Sequence, residues 1–112
     1  MTRSAEFGAT VKQGIRVAQP DLVIHARREA GVATGPRVGF VVSKAVGNAV
    51  DRHRVVRRLR HAARTVIADL DPADTVVIRA LPNCRHAVSP RLEQEITAGV
   101  RRALAMMGGG DR

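Results

Sequence analysis

Residues 48–64 read NAVDRHRVVRRLRHAAR and contain six arginines but only one carboxylate, that of Asp51. At about 100° per residue, measured from Val50, the apolar positions of this segment fall between about 120° and 260°. Most of its basic positions fall on the opposite side, between about 320° and 80°. The pattern predicts a long helix from about Asn48, as its N-cap, to Leu70, with one face in the core and the other cationic.

The cationic face is unlike that of an ordinary solvated helix, which mixes charge signs because arginines three or four residues apart repel one another. A phosphate partner would offset this repulsion, since a guanidinium binds phosphate through two parallel hydrogen bonds. The basic positions on this face are Arg54, Arg57, Arg58, His61 and Arg64, with His53 and Arg60 at its edge. Arg52 is the exception, because it falls at about 200°, on the apolar side. It either lies beyond the core or reaches into a cleft beside the sheet.

The rest of the chain predicts strands and two more helices in the order αβββαβα. Helices are expected over residues 4–13, 48–70 and 89–107, and strands over 15–18, 22–27, 37–42 and 75–80. Residues 31–36 contain Gly and Pro and predict a hairpin loop, which would pair the second strand with the third. The unbroken apolar run predicts burial on both sides of the sheet near Val41 and Val42. The order indicates an α+β sandwich, one domain over residues 1–107 followed by a flexible tail over 108–112.

Composition indicates a polyanionic partner for this chain of 112 residues. It carries 19 Lys and Arg against 10 Asp and Glu, a net charge of +9, and all but two of its cations are Arg. No apolar run approaches the roughly 20 residues of a membrane helix, and the N-terminus lacks the apolar core of a signal peptide. Cys84 is the single cysteine. We interpret it as a spectator thiol at the edge of a loop and expect a soluble protein of a reducing compartment.

Catalytic patterns are weak in this sequence. The aspartates between residues 51 and 74 are not spaced as a carboxylate cluster for two metal ions. The four histidines show no pairing motif, although an acid–base nuclease built on histidine stays open. Ser43 lacks the context of an activated nucleophile, and Lys44 lacks the preceding glycine pattern of a phosphate-binding loop.

Residues 38–60 carry a series of short motifs. These are Val38-Gly39, Phe40-Val41-Val42, Ser43-Lys44, Gly47-Asn48-Ala49-Val50, Arg52-His53-Arg54 and Arg57-Arg58-Leu59-Arg60. Together they resemble the signature of the protein subunit of bacterial ribonuclease P, and Phe7 with residues 11–14 and the strand at 74–79 resemble its first helix and last strand. Two departures are His53, where the family usually has asparagine, and Val56, where lysine is frequent.

The resemblance implies a fold like that of ribosomal protein S5 domain 2, with a left-handed βαβ crossover around the basic helix. It also implies a subunit that binds the catalytic ribonuclease P RNA and the 5′ leader of precursor tRNA and assists endonucleolytic removal of the leader. RNA would carry the hydrolysis and hold most of the Mg²⁺, so no catalytic residue is expected in the protein. A cytoplasmic location, no membrane and no obligate protein partner are further implications.

The resemblance also assigns residues to two RNA surfaces. The surface for the catalytic RNA would comprise Lys44, Asn48, Arg52, His53, Arg54, Arg57, Arg58, Arg60, His61 and Arg64. The leader cleft would comprise Phe7, Val11, Lys12 and His25, a set poor in the aromatic rings on which bases stack. Phe7 alternatively packs in the core.

Two other functions remain open at this point. One is a general RNA-binding or ribosomal protein with no ribonuclease role. The other is a DNA-binding module that places the basic helix in a major groove, although no second helix lies one short turn away to form a helix-turn-helix. Only the ribonuclease P subunit is expected to assist cleavage of precursor tRNA.

Overall fold

The structure is a computed structural model, and it describes residues 14–28, 37–70 and 74–108. Its elements are β1 (Ile15–Ala18), β2 (Leu22–Arg28), β3 (Arg37–Val41), α1 (Ala49–Ile67), β4 (Asp74–Ala80), a 3₁₀ turn (Pro82–His86) and α2 (Ser89–Gly108). The strands and the last two helices therefore follow the predicted order. The helix predicted over residues 4–13, the loop predicted over 31–36 and most of the predicted tail lie outside the described residues.

The four strands form one mixed sheet in the order β1-β2-β4-β3. β2 pairs antiparallel with β1 and with β4, whereas β3 pairs parallel with β4. The predicted hairpin between the second and third strands is therefore wrong, because β4 lies between them. α1 is the crossover that joins the parallel strands β3 and β4, as parallel neighbours require.

Burial on both sides of the sheet occurs in β4 and not near Val41, where it was predicted. Val76, Val77 and Ile78 are at most 1% exposed. Val41 is 40% exposed because it lies at the end of the edge strand β3, and Val42, just beyond the strand, is only half-buried. Both β3 and β4 contain an unbroken apolar run, but only β4 lies inside the sheet and is buried on both sides, whereas β3 is an edge strand.

The core lies between one side of the sheet and the two helices. We call this side the inner face; its residues include Leu22, Ile24, Val76 and Ile78. α1 contributes Val55, Leu59, Ala62, Ala63 and Val66, and α2 contributes Leu92, Ile96, Val100 and Ala103. The buried residues of α2 recur at helical spacing, and Leu104 beside them is only partly buried. Each fully buried aliphatic side chain contributes about 1.5–3 kcal/mol, so this layer supplies much of the folding free energy.

The helix α1 ends three residues earlier than predicted, at Ile67. The next residues form hydrogen bonds of the 3₁₀ type: the Asp69 N–H donates to the Val66 carbonyl at 2.9 Å, and the Leu70 N–H donates to the Ile67 carbonyl at 3.1 Å. These shorter-range bonds satisfy the last carbonyls of the helix, and Leu70 is buried against the core. The apolar pattern extended the prediction to Leu70 because this residue packs inward without being helical.

Candidate RNA-binding surfaces

The start of α1 is fixed by its own side chains. The Asn48 Oδ1 accepts a hydrogen bond from the Asp51 N–H at 2.9 Å, and the Asp51 Oδ2 accepts one from the Asn48 N–H at 3.2 Å. Gly47 precedes this capping box with a φ of 156°. A Cβ on Gly47 would lie 2.6 Å from the Asp51 Oδ2, so the cap requires glycine here.

The side of α1 opposite the core is cationic, as predicted. We call this side the cationic face and define it by the exposed residues His53, Arg54, Arg57, Arg60, His61 and Arg64. Within residues 14–28, 37–70 and 74–108, these side chains have no ion-pair partner. A depression of about 460 Å³ lies over the first turns of the helix, lined by Ala49, Val50, His53, Arg54 and Arg57. Lys44, in the connector before the helix, is also exposed.

Arg58 lies at the border of this face and has a different environment. Its Nη1 donates to the backbone carbonyls of Arg85 and Ala87 at 3.4 and 3.5 Å. The guanidinium therefore connects α1 to the 3₁₀ turn, and Arg58 is half-buried. The sequence placed Arg58 among the RNA-binding cations, whereas the structure gives it a bracing contact as well.

Arg52 lies in the first turn of α1, on the apolar side of the helix, and is half-buried. Its Nε is buried and has no hydrogen-bond partner, and Arg52 forms no ion pair in the part of the chain that the structure describes. A brace between Arg52 and a carboxylate is therefore not seen there. Asn48 can join Lys44 and Arg52 in a phosphate contact, because only its amide oxygen is used by the cap and its amide N–H groups can donate to a phosphate oxygen.

The sheet has a second side, away from the helices, which we call the outer face. Alternation along the paired strands places His25 on it, together with the arginines Arg16, Arg27, Arg37 and Arg79. Arg16 pairs directly across from His25, and Arg79 lies on β4 opposite Val23. These arginines could not be predicted as a group, because their shared side becomes evident only once the strands are paired.

His25 is buried on this outer face, at 2% exposure. Neither ring nitrogen has a hydrogen-bond partner in the described structure. Burial lowers the pKa of His25, and the positive charges of Arg16 and Arg79 lower it further. The imidazole is therefore held neutral beside two cations. The other predicted cleft residues, Phe7, Val11 and Lys12, lie outside the described residues.

Cys84 is buried in the core and not at the edge of a loop. Burial raises the pKa of its thiol to about 12, and the nearby carboxylates of Asp21 and Glu95 act in the same direction. Since the thiolate is the reactive form, this cysteine is chemically inert.

Metal-binding clusters and membrane-spanning helices are both missing from the described ranges. These residues contain no group of three or more His, Cys, Asp or Glu placed to hold a metal ion. No helix among them is long and apolar enough to span a membrane.

Comparison with known proteins gives consistent matches. The model of the Ribonuclease P family matches residues 1–104. The chain is 65% identical to the ribonuclease P protein component of Mycolicibacterium vanbaalenii over 103 residues, covering 91% of this chain and 87% of the relative. It is 62% identical to the ribonuclease P protein component of Mycolicibacterium gilvum, covering 91% of this chain and 83% of the relative.

Solved structures show the same fold at low sequence identity. The RNase P protein of Staphylococcus aureus superposes with a TM-score of 0.76 at 22% identity, over 88% of this chain and 89% of that chain. The RNase P protein of Thermotoga maritima gives 0.74 at 16% identity, over 88% and 92% of the two chains. Since the family model covers nearly the whole sequence and close relatives share more than half of their residues with it, this chain belongs to the ribonuclease P protein family.

Proposed function

We propose that this chain binds the catalytic ribonuclease P RNA through the cationic face of α1 and the 5′ leader of precursor tRNA through the outer face of the sheet. Its family role is that of the protein component of a ribonucleoprotein that matures the 5′ end of tRNA, in which the RNA subunit carries the catalytic activity. The observation that supports the first contact best is the cationic face itself. It bears six exposed basic side chains that no carboxylate of the described structure neutralises.

The chemistry of the cationic face suits a phosphate backbone. Guanidinium groups bind phosphate oxygens in pairs, and each phosphate neutralised releases condensed counterions. Such contacts set affinity and orientation without reading the base sequence. We therefore propose that Arg54, Arg57, Arg60, Arg64, His53 and His61 dock the protein on the RNA, with Lys44, Asn48 and Arg52 at the start of the helix.

The outer face has the properties of a site for a single strand. Arg16 on β1 and Arg79 on β4 are exposed on this face and supply positive charge along which a backbone can lie. His25 lies near Arg16 and Arg79 but is buried, so its ring offers a base little surface for stacking, and Phe7 would supply an aromatic ring. Because aromatic rings are few, the proposed leader contact depends more on charge than on stacking.

The protein's contribution to the reaction is positioning and charge neutralisation. Holding the leader on one side and the catalytic RNA on the other reduces the entropic cost of aligning the cleavage site. We propose that Mg²⁺ is held mainly by the RNA subunit, which carries the catalytic activity in this family. We also propose that the protein acts in the cytoplasm, where it would meet precursor transcripts. Residues 1–107 would form a single functional unit.

Rescue of RNA-catalysed cleavage tests the proposal. The chain is added to ribonuclease P RNA at a Mg²⁺ concentration too low for the RNA alone, and removal of the leader is measured. The wild-type chain should restore cleavage. Arg54→Gln with Arg57→Gln should lose much of this effect, whereas Arg101→Gln with Arg102→Gln, which removes the same charge from α2, should keep it. A general RNA-binding protein would bind without restoring cleavage, and that result would reject the proposed function.

The leader contact has its own test. Arg16→Gln with Arg79→Gln should weaken binding of precursor tRNA to the reconstituted enzyme and leave binding of mature tRNA almost unchanged. Phe7→Ala should behave in the same way if Phe7 lines the cleft. An equal loss for both RNAs would place these residues in the fold and not in the leader site.

A further inference from the structure

The 3₁₀ turn after β4 is anchored on one side and open on the other. Cys84 is fully buried, and Ala87 is buried beside it. The Cys84 N–H donates to the Leu81 carbonyl at 2.9 Å, and the Ala87 N–H donates to the Cys84 carbonyl at 3.1 Å. The backbone of the turn is thus held against the core, while Asn83, Arg85 and His86 are exposed.

This turn lies next to the cationic face. Arg58 donates from α1 to the carbonyls of Arg85 and Ala87, at 3.4 and 3.5 Å. On the helical projection Arg58 lies at about 80°, at the end of the cationic sector that includes Arg54 and His61. Positive charge therefore continues from α1 across Arg58 to Arg85.

Nearby carboxylates do not neutralise the turn. Asp21 and Glu95 are buried, and both are bound by Arg91, whose Nε lies 2.6 Å from the Asp21 Oδ2 and 3.1 Å from the Glu95 Oε2. Within the described ranges the Arg85 guanidinium has neither an ion pair nor a hydrogen bond. Its charge is available to an external anion.

We propose that Asn83, Arg85 and His86 form a second phosphate-binding patch, which extends the RNA surface of α1 onto the 3₁₀ turn. The partner is the structured catalytic RNA and not the single-stranded leader. The turn contacts α1, which packs on the inner face, and the sheet separates it from the outer face where the leader is proposed to bind. Arg58 is a positioning residue here, because it holds the turn through backbone carbonyls. This inference rests on the proposed docking of RNA on α1.

Rigidity makes this patch useful. Phosphates bound by flexible side chains on a mobile loop would require that loop to become ordered, which costs free energy on binding. The buried Cys84 and the Arg58 hydrogen bonds hold the backbone before RNA arrives. The patch can therefore fix the rotation of α1 on the RNA, which a single row of arginines on one helix cannot do alone.

The salt dependence of RNA binding is the first test. Arg85→Gln with His86→Gln should weaken binding to ribonuclease P RNA several-fold at moderate salt. It should also flatten the plot of log affinity against log salt by about 0.9 for each duplex phosphate that the protein no longer neutralises. Arg102→Gln, which removes one exposed charge from α2, should leave the slope unchanged. A slope equal to wild type in the folded double variant would overturn the patch, while intact rescue of cleavage by the wild-type chain would leave the proposed function standing.

Directed cleavage of the RNA is the second test. Asn83→Cys would be labelled with an iron chelate that generates hydroxyl radicals, and Cys84 would stay unlabelled because it is buried with a pKa of about 12. Cuts should appear at a few positions of the catalytic RNA. The same label on Ala105→Cys, an exposed site near the end of α2, should not give them. Cuts confined to the precursor tRNA leader, or no cuts, would contradict the inference.

Discussion

Asn48 and Asp51 cap each other at the start of the basic helix, each side chain accepting a hydrogen bond from the other's backbone N–H, at 2.9 and 3.2 Å. The only acidic residue of the segment 48–64 is therefore committed to the helix terminus. A carboxylate in the first turn also stabilises the positive end of the helix. The cationic face thereby keeps its charge, since Asp51 is used by the backbone and not by an arginine.

Asn48→Ala should lower the free energy of unfolding by about 1 kcal/mol, because the cap at the start of α1 is removed. Asn48→Ser should keep most of that stability, since its hydroxyl can still accept from the Asp51 N–H. Denaturant unfolding of the two variants measures the difference. If Asn48→Ser also weakens RNA binding at unchanged stability, the Asn48 amide nitrogen contacts RNA. Equal stability of all three proteins would contradict the capping role.

Substitution of Arg52 should reduce cleavage more than substitution of Arg54, although each substitution removes one positive charge. Arg54 has Arg57 and His61 beside it on the cationic face, which can partly replace it. Arg52 has no basic neighbour on its side of the helix, and its Nε lacks a partner within the described residues. A charge-assisted hydrogen bond contributes about 1.5–3 kcal/mol, so Arg52→Ala should reduce cleavage at limiting Mg²⁺ by about tenfold or more, and Arg54→Ala by less.

Thermal unfolding of the same two variants is the control for this comparison. Because Arg52 makes no ion pair in the described structure, Arg52→Ala should unfold close to the wild-type temperature. Equal losses of cleavage for Arg52→Ala and Arg54→Ala would contradict the distinct role of Arg52. So would a cleavage defect that follows the loss of folded protein.

Gly99 allows α2 to approach the sheet closely. A Cβ at this position would lie 2.7 Å from the Ile24 Cγ1 and 3.3 Å from the Gln19 Nε2. Gly99→Ala should therefore destabilise the protein by about 1–3 kcal/mol through overpacking, despite the better helix propensity of alanine. In a double-mutant cycle, Ile24→Ala should absorb part of this loss. A more stable Gly99→Ala variant would show that the layer can expand without cost.

The carboxyl group of Glu95 should make stability fall as pH rises. Burial raises its pKa, and the neighbouring Asp21 carboxylate raises it further, against the hydrogen bonds from the Asp21 N–H and the Arg91 guanidinium. The unfolded chain therefore releases this proton at a lower pH than the folded chain does. The stabilisation that the protonated carboxyl group provides is fully present below the unfolded pKa of about 4.3. It is lost as pH rises through the higher pKa of the folded state.

Glu95→Gln should remove that loss. The amide oxygen of glutamine can still accept from the Asp21 N–H, so the contact between the β1–β2 turn and α2 should survive. Melting temperatures between pH 4 and 7 should show a flatter profile for Glu95→Gln, with a gain over wild type at neutral pH. Glu93→Gln, at an exposed position of the same helix, is the matched control and should leave the profile unchanged. An identical profile for wild type and Glu95→Gln would contradict the raised pKa.

Much of the fold followed from periodicity, and the exceptions have physical causes. The basic helix and the stripe of Leu92, Ile96 and Val100 were predictable because helical spacing separates buried from exposed positions. Strand pairing was not predictable in the same way, because adjacency in sequence favoured a hairpin between β2 and β3. β4 follows the crossover helix in the sequence but lies between β2 and β3 in the sheet. The local spacing of residues does not specify that position.

The candidate sites also divide into features that local sequence determines and features that depend on tertiary structure. The cationic face of α1 was predictable except at Arg58, since a helix presents its faces without help from other elements. The arginines of the outer face belong to four strands, so their grouping depends on the sheet order. Likewise, the hydrogen bonds of Arg58 to the 3₁₀ turn and the burial of Cys84 depend on tertiary packing. Sequence patterns could indicate charge and exposure there, but not partners.

The salt dependence of binding to ribonuclease P RNA tests the docking role of the cationic face most directly. Wild type is compared with the triple variant Arg54→Gln, Arg57→Gln and Arg64→Gln, which leaves the Arg58 brace intact. Because each neutralised duplex phosphate contributes about 0.9 to the slope, the log–log plot of the triple variant should be flatter by up to about 2.7. A folded triple variant with the slope and affinity of wild type would contradict the account.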